Sequence, residues 1–361
     1  MIKIQLHLHE DSAESKKIID KLEGDHWDFL NQTMAGKPKK FKKYALISKC
    51  RNSILELGDA QHLSDHGLDA DAGDKIKAFL AAILDDHEKL LRKIVMSSPQ
   101  GLVDLLPEIK KKLPNSFLYR KTKTGYAQTK AGRYLSEVIF DYGNFRSSAQ
   151  CAKMFREGMN SNLFTCPYCN LNPIVVTDIS DSDDNTQDTY LDLDHFFPKS
   201  RYPYFAVSFY NLIPCCHDCN SKLKGASEYS LDKHVHPYVD NFDDLYIFKI
   251  NTADYTLGKV TIEGSARQGV RKDESMDDLD LIKRYKANIV QITDVVSLYK
   301  ANIRNIEKNS AEYVKTFSTH FSFKKHQILI RPRSKLLRDV ISQIDVSNSL
   351  EILEPKRVRL E

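Results

Sequence analysis

Thr165-Cys166-Pro167-Tyr168-Cys169-Asn170 and Pro214-Cys215-Cys216-His217-Asp218-Cys219-Asn220 govern the reading of this chain, with Leu191-Asp192-Leu193-Asp194-His195-Phe196-Phe197-Pro198 between them. Each outer stretch holds a Cys-x-x-Cys turn, which brings two thiolates to one point. Zinc takes four soft ligands in a tetrahedron, so two such turns complete a cage. We expect Cys166, Cys169, Cys216 and Cys219 to bind one structural Zn²⁺. The interval between the turns, residues 170–215, exceeds an ordinary ribbon spacing and predicts an inserted element. A closed four-thiolate cage leaves no open position, so this zinc is not expected to be the catalyst. Cys215, beside Cys216, could replace it as a ligand at looser spacing. Cys50 and Cys151 read as small buried hydrophobes.

The inserted stretch carries a different chemistry. Asp194 is a hard oxygen ligand, and the side-chain carbonyl of Asn220 is another; such ligands suit Mg²⁺ or Mn²⁺, which keep waters and bind phosphate oxygens. His195 follows Asp194 directly and cannot share its face in an extended strand. It is therefore expected to point across the site, where a neutral imidazole can take a proton from water. One metal for the leaving 3′-oxygen and one histidine for the water suffice for phosphodiester hydrolysis.

The remainder of the chain sets bounds on that chemistry. Its 361 residues allow two or three domains. At 41% hydrophobic and 28% charged, the composition is that of a globular protein. No run approaches the ~18 apolar residues that cross a bilayer, and residues 1–10 lack a secretion signal. Cysteine pairs without a secretory context fit a reducing, cytoplasmic setting. The net charge of +4 says little by itself. Between Pro107 and Glu157, however, Lys110, Lys111, Lys112, Arg120, Lys121, Lys123, Lys130, Arg133, Arg146, Lys153 and Arg156 interleave with Phe117, Tyr119, Tyr126 and Tyr134. This is either a solvated helical face or a phosphate-tracking surface.

Around the motif the chain reads as helical. Ile18–Phe29 and Lys75–Val95 carry apolar residues at helical spacing, and Ser97-Ser98-Pro99-Gln100-Gly101 breaks the chain after them. Ile174–Val176 and Leu191–Leu193 read as short strands, separated by an acidic surface loop, Asp178–Asp184. Ser221–Leu223 is expected to open a helix that Gly225 ends. Tyr246–Ile250 and Lys259–Ile262 read as strands, and Asp277–Lys308 as one long core helix. His217 and His236 read as structural histidines. The tail after Val346 carries no pattern.

These residues resemble a known family. Asp194-His195, then Asn211-Leu212, then Cys216-x-x-Cys219-Asn220-x-x-Leu223-x-Gly225 is similar to the HNH (ββα-metal) nucleases with a zinc ribbon. Pro198 fills the family's proline place, Cys215 stands where an apolar residue is usual, and Lys222 or Lys224 supplies a lysine slightly out of register. The resemblance implies that Asp194 and Asn220 ligate the catalytic cation, that His195 is the general base, and that Asn211 braces the ββ loop. Asparagine at 220, as in the HNH domains of CRISPR effectors, favours Mg²⁺ over softer metals. More loosely, Phe140-Asp141-Tyr142-Gly143-Asn144-Phe145-Arg146 and His236-Pro237-Tyr238-Val239-Asp240 resemble HNH proteins of anti-phage systems, the Septu (PtuB-like) and retron-associated nucleases. Those act beside an ATPase, and the sequence holds no Walker-type loop, so any ATPase partner is expected to be a separate chain.

The expected protein is α+β. A helical region, 1–150, precedes a zinc-stapled ββα-metal domain, 151–265, and a mainly helical region, 266–361, follows. The expected activity is metal-dependent cleavage of DNA by an anti-phage effector, with no membrane involved. Two rivals share the cage: a zinc-ribbon nucleic-acid binder without catalysis, and an RNA-cleaving toxin. A binder has no need of Asp194, His195 and Asn220.

Overall fold

The fold was read from a computed structural model that describes residues 2–36, 40–123, 125–159, 165–178, 187–251, 262–266, 273–307, 312, 315, 317, 324–345 and 350. It is a mixed α+β chain that has, among the described residues, many helices and four two-stranded sheets: β1 (Tyr119–Thr122) with β2 (Gly125–Gln128), β3 (Val175–Asp178) with β4 (Gln187–Tyr190), β5 (Asp192–His195) with β6 (Leu212–Cys215), and β7 (Tyr246–Ile250) with β8 (Ile262–Ala266). The chain divides into two compact units. One comprises Met1–Ser15, Ser161–Val175 and Asp232–Glu361; the other comprises Lys16–Asn160 and Val176–Leu231.

The second unit holds a largely helical core and the β5–β6 hairpin. Helix α1 (Ser12–Leu30) starts at Asp11, whose carboxylate accepts from the N–H groups of Ala13 and Glu14 at 2.8 and 3.0 Å. Helix α2 spans Leu46–Glu56, and α3 spans Ala70–Met96 with Asp69 as its cap. The apolar side of α3 buries Ile76, Phe79, Leu80, Ile83, Leu91, Ile94 and Val95. Each such side chain is worth roughly 1.5–3 kcal/mol of burial. The backbone leaves helical geometry at Asp85–Glu88, an interruption the apolar spacing did not announce. The expected break is present at Ser97–Ser98, both non-helical, and α4 (Pro99–Lys112) starts directly after it. Ser98 caps it through a 3.2 Å bond from Gly101 N–H, and Pro99 takes the first turn, where no N–H is needed. The β1–β2 hairpin, in a region expected to be helical, is also a correction. Arg120 and Lys121 lie exposed on it, with Lys123 at its turn.

The first unit centres on helix α6 (Ile289–Glu307) and helix α7 (Ser334–Ile344), with Phe248, Tyr285, Tyr299, Leu336, Val340 and Ile341 buried. A buried ion network ties α7 to β7: Arg338 donates to both carboxylate oxygens of Asp243 at 2.6 Å, Lys335 pairs with Asp243 at 3.0 Å and with Asp339, and Asp339 accepts from Phe248 N–H at 2.9 Å. The single helix expected over Asp277–Lys308 is three pieces: Ser275–Asp278, Leu281–Lys286 and α6. Asp280 at φ +47° turns the chain between the first two, so one apolar stripe served two short helices and a long one. Residues 179–186, which include most of the expected acidic loop, lie outside the described residues, as do 252–261, with the start of an expected strand, Lys308 and the tail 351–361. No described helix is long and apolar enough to cross a membrane.

Candidate active site and four-cysteine cluster

The cysteine reading has a direct counterpart in space. Cys166, Cys169, Cys216 and Cys219 are all buried, and their Sγ atoms all lie within 4.8 Å of one another. Four thiolates at ~2.3 Å from a tetrahedral zinc stand about 3.8 Å apart, so this donor set could hold a zinc ion. The N–H of Leu171 points at Cys169 Sγ from 3.4 Å. Cys215 is not in the cluster; it is buried on β6, and burial pushes its thiol well up. Burial likewise raises Cys50 and Cys151 to about 12, as expected of inert core thiols.

Beside the second Cys-x-x-Cys turn lies a strand–loop–strand–helix. Strands β5 and β6 are antiparallel, with Asp192 opposite Cys215, Asp194 opposite Ile213 and His195 opposite Leu212. Helix α5 (Asp218–Lys224) follows. It begins before the expected Ser221, so Asn220 lies within it rather than at its start. Its winding is wide: Gly225 N–H donates to the Asn220 carbonyl, five residues back, and Gly225 ends the helix at φ +51°.

Asn211 is fully buried and closes the loop between the strands. Its Oδ1 accepts from Phe197 N–H at 2.7 Å, and its Nδ2 donates to the carbonyls of Phe197 and Phe205 at 3.1 and 3.0 Å. The same loop holds His195, which is 8% exposed, with Nε2 at 2.9 Å from the Ala206 carbonyl. A carbonyl only accepts, so Nε2 carries the proton and Nδ1 is left as the basic nitrogen. Burial pushes the imidazolium down to about 3, against the pull of the carbonyl, so the ring is neutral at pH 7.

Two residues from the looser resemblance brace the strand. Tyr142 donates its hydroxyl to the Leu193 carbonyl at 3.1 Å, and its ring meets the His195 ring edge-on at 4.4 Å. Arg146 donates to the Leu191 carbonyl at 2.6 Å. Arg146, expected on a solvated face or a phosphate-tracking surface, is thus engaged by backbone, and Tyr142 had no expected role; a tyrosine and an arginine four residues apart on one short helix were the available signal. Lys199 lies 4.9 Å over the Tyr142 ring, and its carbonyl accepts from Gln128 of the basic β1–β2 hairpin at 2.9 Å. The exposed Lys199 thus stands near the histidine, across the Tyr142 ring.

The carboxylates sort differently from each other. Asp194 is buried and accepts from Lys224 Nζ at 2.9 Å; the same ammonium donates to the His195 carbonyl at 2.8 Å and sits 4.9 Å over the Tyr229 ring. The Asn220 amide instead meets Asp192, Nδ2 to Oδ2 at 3.0 Å, and His217 Nδ1 lies 3.1 Å from that same oxygen. Asp192 and Lys224 are the residues whose part the sequence left unassigned. Alternation along β5 puts Asp192 on the face of Asp194, which was the clue.

No protein-family model matches the chain, and no solved structure does. Two curated proteins are similar over short stretches. Protein ea31 of Escherichia phage lambda is 43% identical over 51 residues, covering 13% of this chain and 17% of that protein. Septu protein PtuB of Bacillus thuringiensis is 32% identical over 77 residues, covering 20% of this chain and 29% of that protein. The chain thus spans less than a third of the length of either relative, a weak homology confined to a segment.

Proposed function

We propose that this chain is an HNH-type endonuclease that hydrolyses DNA phosphodiester bonds with a divalent cation. The observation that carries the reading is the held imidazole of His195, whose Nε2–H is committed to Ala206 and whose Nδ1 is the free base. In this reading Nδ1 takes the proton from the attacking water. Asn211 keeps the loop that orients the ring, and Tyr142 limits the ring's rotation. Asn220 and a β5 carboxylate, Asp194 in the motif reading, would hold Mg²⁺ or Mn²⁺. Such a cation, when bound, neutralises charge on the leaving oxygen. The four thiolates would hold a structural zinc, which would fix the second Cys-x-x-Cys turn and with it the start of α5.

The exposed Arg120, Lys121 and Lys123 support a polyanionic substrate. The likeness to Septu protein PtuB supports a role in anti-phage defence, and a separate ATPase chain is the partner that the looser family resemblance implies. The test incubates purified zinc-loaded protein with supercoiled plasmid and with tRNA, in Mg²⁺ or in EDTA. Plasmid nicked or linearised only in Mg²⁺ is expected. Cleavage of tRNA alone would assign the toxin reading, and cleavage of neither would leave the binding module.

A further inference from the structure

The two carboxylates of β5 share a face yet have different partners. Asp194 and Lys224 form a pair whose side chains are 3% and 1% exposed. A dication on Asp194 would have to settle beside that buried ammonium, where the low dielectric strengthens the repulsion. Asp192 stands in another setting. Its side chain is 30% exposed, it faces the 68% exposed His217, and Asn220 closes the third corner. His217 and Asn220 are three apart and so share one side of the α5 turn.

The spacing suits a hard cation. Adjacent ligands at ~2.1 Å from an octahedral ion stand about 3 Å apart, and Asp192 Oδ2 lies 3.0 Å from the Asn220 amide and 3.1 Å from His217 Nδ1. A half-turn of the amide presents Oδ1 in place of Nδ2. A neutral imidazole protonated on Nε2 presents Nδ1 as a lone pair. The partial exposure leaves room for the waters that Mg²⁺ and Mn²⁺ retain, and one nitrogen among oxygens favours Mn²⁺.

We infer that Asp192, Asn220 and His217 form a divalent-cation site in which Asp192 is the anionic ligand, while Asp194 positions Lys224. This rests on the cation half of the nuclease reading and replaces its motif-derived carboxylate. Lys224 is then a positioning residue: anchored by Asp194, it holds the His195 carbonyl and so the backbone of the base.

The test is Mn²⁺ binding by the intact, zinc-loaded chain, followed by the electron paramagnetic resonance signal of free Mn²⁺. Zinc content and circular dichroism monitor the fold. Wild type is expected to take up one Mn²⁺. Asp192→Asn should weaken that uptake tenfold or more, and Asp194→Asn should leave it within about twofold. His217→Ala, at a 68% exposed position, should weaken uptake several-fold and keeps the test alive if Asp192→Asn does not fold. Wild-type uptake in Asp192→Asn or in His217→Ala overturns the site. An equal loss in Asp194→Asn, with zinc and fold intact, overturns the division of roles. Mn²⁺ uptake that depends on Asp192 in a protein that cuts neither plasmid nor tRNA would sink the nuclease reading and keep this one. Mn²⁺-dependent cutting that survives Asp192→Asn would do the reverse.

Discussion

The two Cys-x-x-Cys turns are each followed by asparagine, and the same five-residue pattern meets two fates. Asn170 sits at φ +51° and is 1% exposed. Its amide donates to Thr165 Oγ1 at 2.7 Å and to the carbonyls of Ile328 and Arg331 at 2.8 and 3.2 Å, while its Oδ1 accepts from Lys335 N–H at 3.0 Å. Asn220 lies in a helix, half-buried, with its amide on Asp192. The first asparagine is consumed by backbone groups that would otherwise be buried without partners. The second keeps a side-chain partner that a cation can displace. The turns share their cysteines and asparagine but differ inside, Pro167-Tyr168 against His217-Asp218, so what sets the second apart is its inner residues together with its surroundings.

The largest test treats the turns as equals. Cys166→Ala and Cys219→Ala should both abolish zinc binding, which is worth ~10 kcal/mol or more to a small zinc domain. The readouts are metal content and protease resistance of the purified protein. A zinc-free wild type that resists protease would show that the cluster is not a metal site.

His195→Ala sharpens the contrast on the second turn's side. It should retain zinc and nucleic-acid binding but lose on the order of 10²–10⁴ in cleavage rate, the usual worth of a general base. Wild-type cleavage in this variant would place the proton elsewhere.

The two asparagines should then separate by readout. Asn170→Ala removes several buried bonds at ~1 kcal/mol each and strains the left-handed backbone, so a loss of roughly 3 kcal/mol is expected from urea unfolding. Asn220→Ala should change urea stability by under about 1 kcal/mol yet weaken cation binding and cleavage, with partial rescue by excess Mn²⁺. Equal stability losses in both variants would break the comparison.

The smallest effect comes from a second matched pair. His26 Nε2 lies 2.8 Å from the Val207 carbonyl, next to the Ala206 carbonyl that holds His195, but its ring is buried against Phe145 and Phe209. Burial drops His26 to about 4. A histidine depressed in the folded state binds protons more readily when unfolded, so its contribution is complete above about pH 6.5 and is lost as pH falls toward about 4. Between pH 7.5 and 5.5 this costs roughly 1 kcal/mol. His26→Leu should shrink that pH difference in urea midpoint without touching cleavage, while an unchanged difference would clear His26 of the effect.

Four thiols in two close pairs announced a cage, because ligand type and local spacing are properties of the chain itself. A strand was legible at Leu191–Leu193 for the same reason, and forms at Asp192–His195; the brace at Asn211 was implied only by the family resemblance, since its partner Phe197 lies 14 residues away. The β1–β2 hairpin and the breaks in Asp277–Lys308 were not, since packing chose there among conformations the apolar pattern allowed equally. The partners of the two β5 carboxylates lay further out of reach. Alternation made Asp192 and Asp194 equivalent on one face, and their neighbours come from 25 to 30 residues along the chain. Only the packing of α5 on the hairpin sent a buried lysine to one carboxylate and an asparagine and a histidine to the other. Which carboxylate pairs with a buried ammonium and which stays part-exposed beside an asparagine and a histidine is a matter of distance and burial, and those exist only in the folded protein.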